Sequence, residues 1–316
     1  MTAGFECFDA DLVAEAVESQ VVAGLSATPK TIAPKFFYDE AGSKLFESIT
    51  RLPEYYPTRT EVSILKSCGA AMAERIGAGC ALIEFGAGNS EKIRLLLDAL
   101  QPSVYAPLDI SRDFLRDSAA ALASERPGLL VKACLVDYTR EIELPFGTEG
   151  RRVAFFPGSS IGNFSPDESA GFLRRVRELV GPSGAMVLGV DLKKEVDVLH
   201  AAYNDAAGVT AEFNRNVLTH LNRVVGTNFD PEAYRHVAFY DSARGRIEMH
   251  LEAERAQTLT LGEWSVEIEA GERIHTENSH KYDHEQVIRD AQQAGFGEHV
   301  MWTDPNRWFG VYLLYN

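Results

Sequence analysis

The sequence predicts an α/β protein: five parallel strands in a doubly wound sheet, completed by a C-terminal antiparallel hairpin, with an α+β domain inserted ahead of the hairpin. Three observations predict it. From about residue 60 to 195, short apolar runs alternate with amphipathic helical patterns. From 196 to 284 the hydrophobic period changes. From 285 onward a helix and two more apolar strands resume the first pattern.

ALIEF at 81–85 reads as the first strand, because it is a continuous apolar run too short for a helix and is followed by glycines. A helix follows from Glu91 to about Leu100. VYAPLDI (104–110) is the second strand and precedes a helix from Asp113 to about Ser124; LLVKACLV (129–136) is the third. RVAFFPG (152–158) leads through a loop to the amphipathic helix ESAGFLRRVRELV, and GPSG turns the chain into AMVLGVDL, the fifth strand. Parallel strands joined this way require right-handed crossovers, which put helices on both faces. After a helix over about Glu285 to Ala294, GEHVMWTD and WFGVYLLYN are joined too tightly to be anything but antiparallel. The insertion begins with helices in VLHAAYNDAAGVTAEFNRNVLTHLNRVV, then gives strands such as YRHVAFY and RIEMHLEA linked by DSARG. Residues 1–59, with a helix at 9–24 and the stretch PKFFYDEAGSKLF, are expected to pack with it. The expected division is 60–195 with 285–316, and 1–59 with 196–284.

The chain carries 31 Lys and Arg against 46 Asp and Glu, a formal charge of −15. An acidic chain without a basic cluster repels phosphate backbones, so nucleic acid is excluded as a partner. With 45% hydrophobic and 24% charged residues, the chain can bury a large core and is not intrinsically disordered. No apolar run approaches the roughly 20 residues that span a bilayer, and MTAGFECFDADLVAEAVESQ has acids where a secretory signal needs bases. A cytoplasmic monomer without membrane attachment is expected. Cys7, Cys68, Cys80 and Cys134 lie at irregular spacings with no CxxC pair, which reads as reduced thiols.

The candidate cofactor residues sit at strand ends. Gly86-Ala87-Gly88-Asn89-Ser90 follows the first strand, where glycines admit a ligand close to the backbone and the next helix offers its N–H groups. A dinucleotide site wants GxGxxG, yet Glu91 puts an anion where a pyrophosphate belongs. Asp109 ends the second strand, about twenty residues after Gly86, the usual place of an acid that grips ribose hydroxyls. Asp137-Tyr138 ends the third, able to accept from a base's amine and cover its ring. Alternatively both acids simply cap the next helices. Two acids with no phosphate cradle describe a nucleoside without phosphate, and S-adenosylmethionine fits; its sulfonium charge tolerates acidic surroundings.

The candidate substrate residues lie elsewhere. Gly158 to Phe164 follows the fourth strand, so its N–H groups and the Asn163 amide face the ligand end of the sheet; an amide donates and accepts, as a zwitterionic amino acid requires. Tyr55 and Tyr203 supply neutral donors for a carboxylate, with a core aromatic as the ordinary alternative. Glu277 and Ser279, two apart in an extended segment, project to one side and can engage both nitrogens of an imidazole; an exposed strand carboxylate is the ordinary reading of Glu277. Met249 alternates with Ile247 and Leu251, the pattern of a core face. His280 and His284 have metal-ligand spacing only within a helix, which HKYDH does not support. They read as surface residues, and no metal is expected.

PKFFYDEAGSKLFESITRLPEYYPTRTE (34–61) resembles the histidine Nα-methyltransferase family of ergothioneine biosynthesis. The likeness continues through IEFGAGNSEKIRLLLDAL, PLDIS, FPGSSIGNF, AYNDAAGVTAEFNRNVL, RIEMHL, GERIHTENSHKY and WTDP, and so covers nearly the whole chain. The resemblance implies a class I methyltransferase core with a separate substrate lobe, S-adenosylmethionine as methyl donor, and trimethylation of the α-amine of L-histidine to hercynine. By residue it implies cofactor positions at Gly86, Lys92, Asp109, Asp137 and Tyr138, with Tyr38 beside the reacting groups. It implies an amino-acid clamp at Tyr55, Gly158, Asn163 and Tyr203, and imidazole recognition by Glu277 and Ser279 with Met249 lining. Tyr38 and Tyr55 are the candidates for a role in the chemistry. Two departures are conservative: the loop is GAGNS, and Tyr138 stands where Phe is also usual. Lys92, at a helix start, could instead pair with a neighbouring carboxylate. The competing readings are an N-methyltransferase of another free amino acid, a dinucleotide-dependent oxidoreductase, and a cofactor-binding regulator without catalysis.

Overall fold

The structure, a computed structural model, describes residues 4–9, 17–87, 91–148 and 150–316. Its strands are β1 (Phe5–Asp9), β2 (Lys30–Thr31), β3 (Ala81–Phe85), β4 (Val104–Asp109), β5 (Leu130–Leu135), β6 (Arg152–Phe156), β7 (Ala185–Asp191), β8 (Tyr234–Asp241), β9 (Arg246–Ala253), β10 (Gln257–Leu261), β11 (Trp264–Ile268), β12 (Arg273–His280), β13 (Glu298–Thr303) and β14 (Phe309–Tyr315). Its α-helices are α1 (Val17–Ser26), α2 (Glu40–Ile49), α3 (Tyr56–Ile76), α4 (Glu91–Leu100), α5 (Arg112–Glu125), α6 (Pro166–Val180), α7 (Val196–Tyr203), α8 (Val209–Val225) and α9 (His284–Gln293). The chain divides into two compact units. One comprises Met1–Leu12, Pro57–Lys193 and Lys281–Asn316; the other comprises Val13–Tyr56 and Lys194–His280.

The first unit is built on an eight-stranded sheet in the order β1-β5-β4-β3-β6-β7-β14-β13. The strands from β1 to β7 in that order are parallel; β14 runs antiparallel to β7, and β13 antiparallel to β14. Every residue of β3 and β7 is buried, as two-sided helical cover demands. Alternation along the strands sorts the core into two layers. Leu82, Val131, Phe155 and Val187 pack with α3, α4 and α5; Ile83, Phe85, Phe156 and Leu188 pack with α6 and α9. Each such fully buried side chain contributes about 1.5–3 kcal/mol. Sequence-coded ends place the crossovers: α6 opens on a reciprocal capping box between Ser165 and Glu168 with Pro166 in its first turn, and stops at Gly181 with φ 73°. Strand order reverses beside β3, with β4 on one side and β6 on the other. Ligands of open α/β sheets bind at the carboxyl ends of strands at such a switch point.

Two expectations change. The sheet has a sixth parallel strand, β1, which the sequence reading assigns to the inserted domain along with the rest of 1–59; instead it pairs with β5 from Phe5↔Val131 to Asp9↔Leu135. Of the helix expected at 9–24, residues 17–26 form α1, and residues 10–16 lie outside the described residues. Cys68, Cys80 and Cys134 are buried free thiols and Cys7 an exposed one; burial pushes the thiols of Cys68 and Cys80 up to about 11.

The second unit holds a four-stranded sheet, β2-β12-β9-β8, and a separate β10–β11 hairpin. β12 carries a register shift between His275 and Glu277. α8 packs on α2 and against β8 and β9.

Candidate active site

In the first unit the candidate residues gather at the carboxyl ends of β3 to β6. Gly86 leaves β3 with φ 71°, and its N–H and that of Ala87 donate to Leu108 O. A Cβ at Gly86 would come within 3.3 Å of the Tyr138 hydroxyl, so packing as well as backbone conformation favours glycine here. Gly88, Asn89 and Ser90 lie outside the described residues. Asp109 ends β4, accepting from Ser111 N at 2.8 Å; Asp137 accepts from Thr139 N at 3.0 Å. Both therefore take part in Asx turns, and neither caps a helix: Ser111 is the N-cap of α5, and β6 is the next element after Asp137. Burial raises the Asp109 carboxyl to about 6, against the opposing pull of Ser111 N–H. Tyr138 is wedged edge-on among Phe85, Phe156 and Phe172 at 5.9–6.2 Å, and burial, with the charges of Asp109 and Asp137, keeps its phenol protonated.

Lys92 pairs with a carboxylate, the alternative the sequence leaves open, though with one distant in the chain. Its Nζ lies 2.7 Å from Glu61 Oε2, and the fully buried Glu61 carboxylate also accepts from Gly158 N at 2.9 and 3.2 Å. Gly189 makes room for it: a Cβ there would lie 2.1 Å from Glu61 Oε1. Gly158, with φ 75°, thus turns its N–H toward Glu61 and not toward a ligand, which corrects the expectation for that group. The turn that follows, Ser160–Asn163, is pinned where Ser159 Oγ accepts from Asp191 N at 2.9 Å. Asn163 is half-buried at its end.

The second unit brings together the residues expected to read a side chain. Tyr203, on α7, donates its hydroxyl to Ser279 Oγ at 2.7 Å. Glu277 shares the β12 face with Ser279, and Met249 stands opposite it on β9. All four are buried; Glu277 is only 8% exposed, which overturns the solvent reading of this carboxylate. Thr276 Oγ1 ties the strand down through Asn214 Oδ1 and Met249 O. Tyr38 and Tyr55 belong to a separate aromatic cluster on Phe46 and Phe213. Tyr38 meets the edges of both rings at 5.8 and 5.9 Å, and Tyr55 meets Phe46 at 6.3 Å. Asp39 fixes this segment by capping α2 through Gly42 N and accepting from Asn216. Burial opposes its ionisation, but these bonds and Arg223 prevail and hold the carboxyl low.

Sequence reasoning misses Glu61, Phe46 and Phe213. The first two lie inside the long motif at 34–61, and that membership was the available signal. His280 ends β12 and His284 opens α9. Both are half-buried, not surface residues, and His284 stacks on Tyr312.

The donor set decides which nucleoside fits. Two acids stand at strand ends, a glycine leaves β3 at Gly86, and the following helix begins with Glu91, itself paired to Lys66 at 2.6 Å. A pyrophosphate is disfavoured there, and an adenosine bearing a cationic sulfonium is not; fold and donor set together define an S-adenosylmethionine-dependent methyltransferase. The chain belongs to the family of histidine-specific, S-adenosylmethionine-dependent methyltransferases, whose model matches residues 17–316. It is 43% identical to a histidine N-alpha-methyltransferase of Mycolicibacterium smegmatis over 96% of each chain. It is 41% identical to the protein of that name in Mycobacterium tuberculosis over 94% of each. It is also 33% identical to ergothioneine biosynthesis protein 1 of Neurospora crassa, over 90% of this chain and 33% of that one.

If Asp109 grips the ribose as a carboxylate, cofactor affinity follows its titration. Below about pH 6 the unliganded protein holds Asp109 protonated, so binding requires loss of that proton. Calorimetry should show adenosylhomocysteine binding weakening about tenfold per pH unit below 6 and level above it, with Asp109→Asn weak and flat throughout. A wild-type profile flat from pH 5 to 8 contradicts the assignment.

Proposed function

We infer that the protein transfers methyl groups from S-adenosylmethionine to the α-amino nitrogen of L-histidine, three times, giving hercynine on the route to ergothioneine. The observation that carries this reading is the buried Tyr203–Ser279–Glu277 set on one strand face. Ser279 Oγ accepts from Tyr203, and the face offers both a hydroxyl and the Glu277 carboxylate. A neutral imidazole presents one acceptor nitrogen and one N–H, the complement of that pair. In this reading Gly86, Asp109, Asp137 and Tyr138 hold the cofactor. Lys92 and Glu61 set the Gly158 turn, and that turn offers the Gly158 carbonyl and the Asn163 amide to the amino-acid zwitterion. The protein acts as a cytoplasmic monomer without nucleic acid. No helix among the described residues is long and apolar enough to cross a membrane, and light scattering should return 34.9 kDa.

S-adenosylmethionine supplies an electrophilic methyl carbon on a sulfonium. The chain's task is orientation, which can lower a barrier by about 7–11 kcal/mol when reactants are aligned. The amine must lose its proton, and it titrates near 8 as a reference group against about 10 for a phenol. Tyr38 and Tyr55 accordingly orient the neutral amine and are not its base, with the proton leaving through water. Tyr55→Phe should lower the plateau of kcat/KM against pH by about tenfold while leaving the inflection in place; a displaced inflection would establish base catalysis by Tyr55.

A panel of free amino acids, each incubated with the protein and S-adenosylmethionine and read by mass spectrometry, tests the acceptor. Histidine is expected to be methylated with the highest kcat/KM. A better acceptor among the others would move the chain to the first alternative, and no methylated product at all would favour the regulator.

A further inference from the structure

A second cluster of donor side chains lies on the second unit's sheet. Glu248 and His250 are two apart on β9, and His275 of β12 stands directly opposite His250 in the antiparallel register. Residues two apart share a strand face, so this face is the one turned away from Met249. One donor atom from each of the three lies within 4.8 Å of the other two. His250 Nε2 is 3.0 Å from Glu248 Oε2, and the two imidazole rings are 5.0 Å apart at 62°.

The groups around the cluster hold it in place. Arg246 grips the other Glu248 oxygen at 2.6 and 2.9 Å, Asn278 Oδ1 lies 2.9 Å from His275 Nε2, and Phe239 stacks flat on His250 at 5.4 Å. Outer partners of this kind fix ligand orientation in metal centres. His250 Nδ1 is buried with no hydrogen-bond partner.

We propose that Glu248, His250 and His275 form a binding site for one divalent transition-metal ion of the zinc class, a two-histidine, one-carboxylate set that leaves a position for water. Imidazole donors select such ions over magnesium or calcium, which prefer all-oxygen sites. The ion clamps β9 to β12, the strands that carry Met249, Glu277 and Ser279, and takes no part in methyl transfer.

The test is titration of metal-free protein with Co²⁺, read by the visible d–d bands of a four-coordinate centre. The expected result is one ion per chain, displaced by Zn²⁺, with the bands lost in both His250→Ala and His275→Ala while the far-ultraviolet circular dichroism is unchanged; His299→Ala, at an exposed histidine outside the cluster, retains them. Where an alanine variant fails to fold, the glutamine variant of the same residue takes its place. Absence of the bands in excess Co²⁺, or their persistence in either cluster variant, overturns the proposal.

Discussion

Glu61→Ala should destabilise the protein by about 3–5 kcal/mol, the usual loss when one partner of a buried ion pair is removed. The variant leaves Lys92 Nζ charged and desolvated, and strands the Gly158 N–H that the carboxylate receives. Surface pairs such as Arg51–Glu47 and Lys44–Glu40 are mostly exposed, and such pairs contribute about 0–1 kcal/mol. The urea midpoint should fall accordingly. Adding Lys92→Met should recover part of the loss, because the orphaned charge goes with it; a loss under about 1 kcal/mol for Glu61→Ala alone contradicts the account of this pair.

Glu277→Ala should lower kcat/KM for histidine by about 10- to 150-fold, the value of a lost hydrogen bond to a charged group of about 1.5–3 kcal/mol. It should also narrow the margin over phenylalanine and tryptophan, because the intact site penalises side chains that leave a buried carboxylate and hydroxyl unpaired. Steady-state kinetics on the three amino acids reads both effects. Histidine kinetics unchanged from wild type would remove Glu277 from substrate recognition. Ser279→Ala should show a smaller loss in the same direction, since a neutral donor is lost in place of a charged acceptor.

Much of this was legible in the chain, and the parts that were not have physical reasons. ALIEF and AMVLGVDL are visible as strands because parallel strands buried on both faces must be apolar without interruption. FECFD hid as a strand because β1 is an edge: Glu6, Cys7 and Asp9 are exposed, and the run lacks that signature. Asp109 and Asp137 were legible as acids at strand ends, where ligands of open sheets bind, and their turn bonds did not show in the sequence. The burial of Glu277 was not readable, since nothing local says whether a strand carboxylate faces water or the interior. Glu61 went unread because its partners lie 31 and 97 residues away, and no periodicity encodes such a meeting.

The central claim is methyl transfer to one nitrogen of one amino acid. The most direct measurement follows ¹³C-methyl-labelled S-adenosylmethionine and L-histidine with the pure protein by nuclear magnetic resonance. The account predicts label accumulating as a single trimethylammonium resonance coupled to the histidine α-carbon. Label on an imidazole nitrogen, or no transfer to histidine at all, would contradict it.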